Sequence, residues 1–271
     1  MGTVIVEIRE LKEKFEANPS RFELKPGDSV LLATSTGLET GKVLIIKDSE
    51  SKKEAEMKVI RHLNENDFKV MIDNRKKACE ITPRIKEEVI RQKLEMKLTH
   101  VSFTYDRQKL YVYYTAEDRV DFRELIRVLG SKLKTRIQMV QIGVRDQLSI
   151  VGGVGICGRD VCCHSFLGSI KTVNTYMARN QRISINQENI TGCCGRLLCC
   201  LSYENEYYKK NSEKYPKIGR KIQISAEKAV VIDVNILKET VTIKFKDGAV
   251  KEMTIEEINK LRGEKGTAAK L

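Results

Sequence analysis

Short runs of alternating apolar and polar residues open the chain. Residues 3–8 read TVIVEI, and the segment 29–46, SVLLATSTGLETGKVLII, alternates around a break at Gly37. Strict alternation is typical of strands with one buried face, and turn residues such as Pro26 and Gly27 separate such strands. The pattern therefore predicts a small N-terminal β module over residues 1–62.

The C-terminal segment 213–271 repeats this alternation. The runs KIQIS, KAVVIDVNIL and TVTIKFKDG have strand periodicity, and Asp247-Gly248 is a hairpin turn signal. These runs predict a second small β module with a barrel-like arrangement, followed by a basic tail that frays.

The middle of the chain changes to helical and mixed periodicity. Apolar residues recur at mostly helical spacing over 63–95, and Pro83 interrupts them, which predicts a helical connector of one bent helix or two. Residues 96–150 then give two strands around a polar turn at Asp106–Gln108, a helix and a third strand. The α-β-β-α-β order predicts a central sandwich in a protein of the α+β class.

Composition narrows the class of protein. The chain of 271 residues has 41% hydrophobic and 32% charged residues, which is typical of a folded protein with a buried core. Its first residues lack the basic start and apolar run of a signal peptide, and no apolar stretch approaches the ~20 residues that span a bilayer. We therefore expect a cytoplasmic protein without membrane insertion, in which thiols stay reduced.

Charge adds nucleic acid as a candidate partner. Lys and Arg number 49 and Asp and Glu 37, and the excess of 12 favours negatively charged partners. The stretch after Tyr203 mixes tyrosines with lysines, the combination that single-stranded nucleic acid needs for stacking and charge neutralisation. Glutamates dilute this stretch, so a solvated helix that leads into a linker is the simpler interpretation.

A repeated heptapeptide holds most of the cysteines. CGRDVCC and CGRLLCC stand 37 residues apart in a cysteine-rich region over 151–212 and account for six of the eight cysteines. These are Cys157, Cys162, Cys163, Cys194, Cys199 and Cys200. The repeat predicts two similar local structures, each presenting thiols at the same spacing.

Three interpretations of the repeat are open from the residues alone. Thiolates of both copies could hold a metal centre, and the Cys-x4-Cys gap suits both zinc sites and iron-sulfur clusters. Vicinal cysteines could exchange disulfides, although the usual oxidoreductase spacing is Cys-x-x-Cys. Cysteines could also fill a core. Ligand chemistry favours the metal centre, with more thiols than the four that a tetrahedral zinc or a four-iron cluster takes.

Glycine and arginine at matching positions favour iron-sulfur over zinc. Arg159 and Arg196 would offset the negative charge of a thiolate-ligated cluster. Gly158 and Gly195 would let backbone N–H groups approach the sulfurs. We interpret these four residues as cofactor-binding. Zinc tetrathiolates accept similar contacts, so zinc stays the alternative metal.

Two further side chains are interpreted as bystanders, and no catalytic pattern is found. Cys79 reads as an ordinary buried or half-buried thiol, and His164 has no counterpart in the second copy, which has Leu201 there. The sequence has no Ser/His/Asp arrangement, paired-carboxylate signature or Walker motif, so hydrolytic and phosphoryl-transfer roles have no support. We expect no catalytic residues.

Longer stretches carry a resemblance to a known family. The segments YTAEDRVDFRELIRVLGSKLKTRIQMVQIGVRD, GGVGICGRDVCC and ISINQENITGCCGRLLCCLSYE are similar to the bacterial YaaT/RicT family, which has the polymerase-suppressor C-terminal domain. The resemblance covers roughly residues 4–257. It matches the six repeat cysteines to family cysteines and places Cys193 at a variable position, so Cys193 is not counted as a ligand. Asp118 stands where the family often has glycine.

The resemblance implies a function beyond what spacing shows. Members of this family work with two small helical partners, RicA (YmcA) and RicF (YlbF), in a complex that carries 4Fe-4S clusters. That complex acts with the ribonuclease RNase Y in mRNA maturation and turnover, and in spore formers it is tied to sporulation, competence and biofilm formation. We therefore expect a non-enzymatic regulatory subunit with an iron-sulfur cluster. A zinc-binding, nucleic-acid-binding adaptor is the alternative.

Overall fold

The computed structural model describes residues 3–8, 13–35, 37–47, 57–224 and 227–262. The chain divides into two compact units. The first unit is Met1–Ile170 with Gly192–Arg196, and the second unit is Lys171–Thr191 with Leu197–Leu271. Among the helices of the described ranges, none is both long and apolar enough to cross a membrane.

The N-terminal strands close into a barrel. These strands are β1 (Thr3–Ile8), β2 (Glu13–Asn18), β3 (Ser29–Thr34), β4 (Gly37–Lys47) and β5 (Met57–His62), in the order β1-β2-β5-β3-β4. Alternate side chains point inward, so Val4, Val6 and Ile8 of β1 share one core with Val30 and Leu32 of β3. The N-terminal β module is therefore confirmed, and closure protects its strand edges from further pairing.

α1 (Glu65–Arg91) follows the barrel as one continuous helix. The Asn64 side chain accepts from the Asp67 N–H at 3.0 Å, and the Asp67 carboxylate accepts from the Asn64 N–H at 2.8 Å, which forms a capping box. Pro83 lies inside the helix, and the neighbouring Thr82 hydroxyl donates to the Ala78 carbonyl at 2.7 Å. Of the two predicted possibilities, one helix or two, the structure has one.

The central sheet follows α1. It contains β6 (Lys97–Phe103), β7 (Lys109–Thr115) and β8 (Arg136–Gln141) in that order, with α2 (Arg123–Leu133) between β7 and β8. β6 and β7 pair antiparallel, and β7 and β8 pair parallel. One face of the sheet packs with α1 and α2 around Ile85, Leu110, Val112 and Leu125. The predicted α-β-β-α-β order and the α+β class are confirmed.

The opposite face of this sheet supports the entry to the cysteine-rich region. Tyr111 and Tyr113 are buried there with Ile142, and Ile150 of α3 (Val144–Val151) packs on them. The first cysteine motif and the short helix α4 (Cys162–Ser165) come directly after α3. The chain that enters the first motif is thus fixed to the sheet.

The second unit combines short helices with a sheet. Its helices are α5 (Thr175–Asn180), α6 (Gln187–Ile190), α7 (Cys199–Ser212) and α8 (Ile255–Arg262), and its strands are β9 (Lys221–Ile224), β10 (Glu227–Asn235), β11 (Thr240–Phe245) and β12 (Val250–Thr254). The strands form an antiparallel sheet in the order β12-β11-β10-β9. Val231, Val241 and Ile243 are buried against Ile258 of α8. The C-terminal β module is confirmed, with its strands in a four-stranded sheet where a barrel-like arrangement was expected. The predicted frayed tail lies outside the described residues.

Asp67 joins the barrel to the central sheet. Its carboxylate accepts from the Arg61 guanidinium of β5 (Nη2 to Oδ1, 2.8 Å) and from the Tyr105 hydroxyl in the β6–β7 turn. Only 3% of the Asp67 side chain is exposed. The hydrogen bond from Arg61, followed by those from the Asn64 backbone and Tyr105, holds the pKa of Asp67 well below its usual range.

We predict that Asp67→Asn lowers the free energy of unfolding near neutral pH and that the loss shrinks in acid. A carboxyl group whose pKa is lowered by folding stabilises the protein above its unfolded pKa of about 3.9. That contribution is lost as pH falls through the lower, folded pKa. Denaturant titrations of both proteins from about pH 7 to about pH 3 measure the difference.

The matched control is Asp118→Asn, at an exposed position, which should change the unfolding free energy little at any pH. A loss for Asp67→Asn that stays constant from neutral to acid pH would contradict the prediction, because the ionised carboxylate would then not be the stabilising species.

Candidate metal centre

The first cysteine motif folds into a hairpin that leads into α4. Its backbone bonds run from the N–H of Gly155 to the carbonyl of Arg159, from Gly158 to Gly155 and from Val161 to Gly153, at 2.8, 2.9 and 3.0 Å. Cys157 lies at the tip of this hairpin, and Cys162 and Cys163 form the first turn of α4. The motif therefore presents one thiol from a turn and two from a helix start.

The second motif has the same local structure 37 residues later. The N–H groups of Gly192, Gly195 and Leu198 donate to the carbonyls of Arg196, Gly192 and Ile190, at 2.8, 2.9 and 2.9 Å. The residues that precede the two helices also match, with φ −58° and ψ 133° at Val161 and φ −58° and ψ 129° at Leu198. The prediction of two similar local structures is confirmed down to individual hydrogen bonds.

The shared glycine shapes each hairpin. Gly158 has φ +76° and Gly195 has φ +72°, in the left-handed region that side chains disfavour. A Cβ at either position would meet no atom within 4 Å, so backbone conformation and not crowding requires glycine. The N–H groups of both glycines donate within the hairpin. Their direct contact with a cofactor stays a prediction.

The six repeat cysteines differ in exposure and are divided between the two units. Cys157 is exposed, Cys163 is buried, and Cys162, Cys194, Cys199 and Cys200 are half-buried. Cys199 and Cys200 belong to the second unit and the other four to the first. Across the described residues, no three His, Cys, Asp or Glu side chains stand close enough together to hold a metal ion.

The donor chemistry nevertheless suits one class of metal. Thiolates are soft ligands that select zinc, copper(I) and iron-sulfur clusters over magnesium or calcium. By that chemistry the residues fit an iron-sulfur cluster or zinc. Which of the thiols share one centre stays a prediction.

The second hairpin touches the base of the first hairpin within the first unit. The Cys193 thiol contacts the Val154 carbonyl at 3.3 Å, and Val154 is a residue of the first hairpin. From the sequence, Cys193 was not counted among the functional cysteines because it stands at a variable position. Aligning the two motifs pairs Cys193 with Ile156, so the repeat itself contained no signal for this contact, which depends on the tertiary fold.

The two arginines close the hairpins with their carbonyl groups and keep their side chains at the surface. The Arg196 guanidinium lies beside Gly143 at the start of α3, where an added Cβ would stand 3.5 Å from Nη2. Arg196 also lines a groove of about 720 Å³ with Lys93, Lys97 and Arg119. Both guanidinium groups therefore add positive charge near the hairpins, and their role in cofactor binding stays a prediction.

The structure also places the two bystanders. The His164 ring lies over Gly152, and its Nδ1 is 2.8 Å from the Ser149 carbonyl. A carbonyl only accepts, so Nδ1 carries the hydrogen in the neutral ring. Cys79 is exposed on α1, and the prediction of a buried or half-buried thiol is wrong. Ala78 faces the core instead, and one step along a helix turns the side chain by about 100°.

Two protein-family profiles match segments of the chain. The profile described as PSP1 C-terminal conserved region matches residues 57–142, and that of PSP1-like protein, third domain, matches residues 172–215. The first match spans β5 to β8, and the second spans α5, α6 and α7 with its cysteine pair. No solved structure matches the chain.

The relatives make the assignment more specific. The chain is 37% identical over 231 residues to stage 0 sporulation protein YaaT of Bacillus subtilis, and the match covers 84% of each chain. The chain therefore belongs to the PSP1 C-terminal family that includes YaaT, as the resemblance predicted. It is also 46% identical over 50 residues to Protein PSP1 of Saccharomyces cerevisiae, a match to 18% of this chain and 6% of the yeast protein. An uncharacterised protein of Schizosaccharomyces pombe is 44% identical over 55 residues, 20% of this chain and 7% of that protein.

We predict that Gly158→Ala and Gly195→Ala each lower the free energy of unfolding by about 1 kcal/mol, because a Cβ disfavours the left-handed backbone. Asn tolerates that region better, so Gly158→Asn should cost less than Gly158→Ala. Denaturant titration measures all three variants.

Gly130→Ala is the control for this comparison. Gly130 lies in α2 with open space at its Cβ position and no positive φ, so alanine should stabilise the protein by roughly 0.5–1 kcal/mol. If the hairpin glycines respond to alanine as Gly130 does, backbone conformation is not what requires them.

Proposed function

We propose that the protein is a non-enzymatic regulatory subunit that holds a 4Fe-4S cluster through thiolates of the cysteine repeat. The observation that carries this proposal is the matching pair of hairpins. Each has the same pattern of internal backbone hydrogen bonds, and the two touch through Cys193 and Val154. Two copies of one thiol-presenting structure favour a shared ligand over cysteines that fill a core. The exposure of Cys157 also argues against the core interpretation.

The residues that would hold the cluster are Cys157, Cys162, Cys163, Cys194, Cys199 and Cys200, with Arg159 and Arg196 offsetting its charge. A bound iron-sulfur cluster supplies a link between thiolates that oxidation breaks. The chain supplies positioning, since the left-handed glycine and the hairpin bonds fix where each tip thiol stands. Four thiolates suffice for one cluster, so the remaining two are available to a second site or to a partner chain.

The proposed partners are subunits of the RicA (YmcA) and RicF (YlbF) type, and the proposed output is RNase Y-dependent mRNA maturation and turnover in the cytoplasm. Family membership supports this, and the relative named as a stage 0 sporulation protein supports a developmental role, extended here to competence and biofilm formation. An apolar surface also surrounds the first hairpin. Val151, Val154, Ile156 and Phe166 are 60–67% exposed there. Exposed patches of this kind mark sites that another protein covers.

Metal analysis tests the cluster. Protein purified without oxygen, alone and co-expressed with the two partners, should be brown, absorb near about 400 nm and contain iron and sulfide in equal amounts. Cys157→Ser/Cys194→Ser should lose most of the iron. Cys79→Ser, which removes an exposed thiol outside the repeat, should keep it. Full iron content in the double variant would sink the proposal.

Assembly tests the proposed mechanism separately. If the bound cluster shapes the partner-binding surface, Cys157→Ser/Cys194→Ser should no longer co-purify with RicA and RicF, whereas Cys79→Ser should co-purify like the wild type. A double variant that lacks iron but still assembles would show that the cluster does not organise this surface.

The second candidate function is a zinc-binding, nucleic-acid-binding adaptor. The thiol donors and the net positive charge favour it. It predicts colourless protein with stoichiometric zinc and no sulfide, so the same metal analysis decides between the two.

A further inference from the structure

The tyrosines of α7 and the turn after it have two different environments. Tyr208 and Tyr215 pack against the core of the C-terminal sheet. Tyr203 and Tyr207 are 62% and 50% exposed. Residues four apart in a helix lie on the same face, so the two exposed tyrosines stand one above the other. Packing in the core accounts for Tyr208 and Tyr215. Tyr207 meets the Tyr208 ring edge to face, with ring centroids 6.1 Å apart, but Tyr203 and Tyr207 still expose half or more of their surface.

Two lysines continue the exposed tyrosine face. Lys210 lies in the last turn of α7 and Lys214 just beyond it, and both are exposed. Steps of four and three residues keep Tyr203, Tyr207 and Lys210 on one face of α7. Lys214 lies in the turn that follows, where its ammonium group also donates to the Asn211 side-chain oxygen at 2.8 Å. We call the two tyrosines and the two lysines the α7 stripe.

Three glutamates lie beside the α7 stripe in sequence, Glu204, Glu206 and Glu213, and one of them is paired with a base. The Glu206 carboxylate is paired with the Lys171 ammonium at 3.3 Å. The second unit as a whole contains 18 Lys and Arg against 12 Asp and Glu, so about a third of the chain has half of its excess positive charge. An anionic partner is therefore favoured on this unit.

We propose that the α7 stripe binds single-stranded RNA. The tyrosine rings would stack on bases and the ammonium groups would contact phosphates, the two contacts by which single strands are held without sequence preference. Base faces are not accessible in double-stranded RNA, so the exposed rings favour a single strand. The proposal extends the suggested role in mRNA maturation but does not depend on the cysteines holding a cluster.

Fluorescence anisotropy with a labelled single-stranded RNA of mixed sequence, about 16 nucleotides long, tests the proposal on the full chain. Tyr203→Ala/Tyr207→Ala should weaken binding about tenfold or more, because each stacked base contributes measurably. Tyr203→Phe/Tyr207→Phe keeps the rings and should bind like the wild type. Melting curves of all variants check that these exposed substitutions leave the fold intact.

A second pair of variants tests the charges. Lys210→Gln/Lys214→Gln should reduce the slope of log affinity against log salt concentration by about 1.4, or about 0.7 for each phosphate of a single strand that a lysine no longer neutralises. Lys228→Gln/Lys244→Gln is the control, because it removes two exposed lysines from the solvent face of the C-terminal sheet. The control should keep nearly the wild-type slope.

Three results would overturn the proposal. One is the absence of RNA binding by the wild type, and another is equal weakening by the two lysine pairs, which would indicate charge without a site. The third is unchanged RNA affinity of Tyr203→Ala/Tyr207→Ala together with failure to co-purify with a protein partner, which would make the stripe a protein interface. Iron content measured on the same samples reports on the cluster independently, so failure of one proposal is distinguishable from failure of the other.

Discussion

Each cysteine set depends on a five-residue hairpin that closes only if its fourth residue turns through the left-handed region. Glycine provides that turn at Gly158 and Gly195, and the carbonyl of the fifth residue completes the ring of bonds by accepting from the first glycine. The thiol at the tip is therefore positioned by backbone geometry that no side chain supplies. This explains why the repeat keeps Cys-Gly-Arg together while the two residues before each cysteine pair differ.

The remainder of the first unit supports the hairpins. The first hairpin follows α3 directly. Ile150 of α3 packs on the buried face of the central sheet where Tyr111 and Tyr113 lie. The sheet is joined in turn to the barrel through Asp67, whose buried carboxylate binds groups from the barrel and from the β6–β7 turn. An ionised carboxylate in such a place requires all of its donors, so the elements that supply them are held in one arrangement.

Local patterns predicted most of the elements, and tertiary contacts account for what they missed. Alternation is a property of neighbouring residues, and it predicted β1, β3 and β4 of the N-terminal module and β9 to β11 of the C-terminal sheet. It did not predict β2 or β5, the two strands whose pairing helps to close the barrel. Pro83 predicted an interruption, yet the packing of Ile85 and Val89 on the sheet keeps α1 continuous. The matching hairpins were visible in the repeat. The contact of Cys193 with Val154 was not, because residues far apart in sequence make it.

α7 connects the two proposed roles physically. Cys199 and Cys200 form its first turn, and Tyr203 and Tyr207 follow on the next turns of the same helix. Because hydrogen-bonded helical turns move together, any ligand that fixes the cysteine pair also fixes the direction in which the exposed tyrosines point. Tyr208, on another face of α7, packs on the core of the C-terminal sheet and so restricts how far the helix can rotate. A change at the thiols would therefore reach the proposed RNA-binding face through rotation or fraying of one helix, without a longer pathway through the protein.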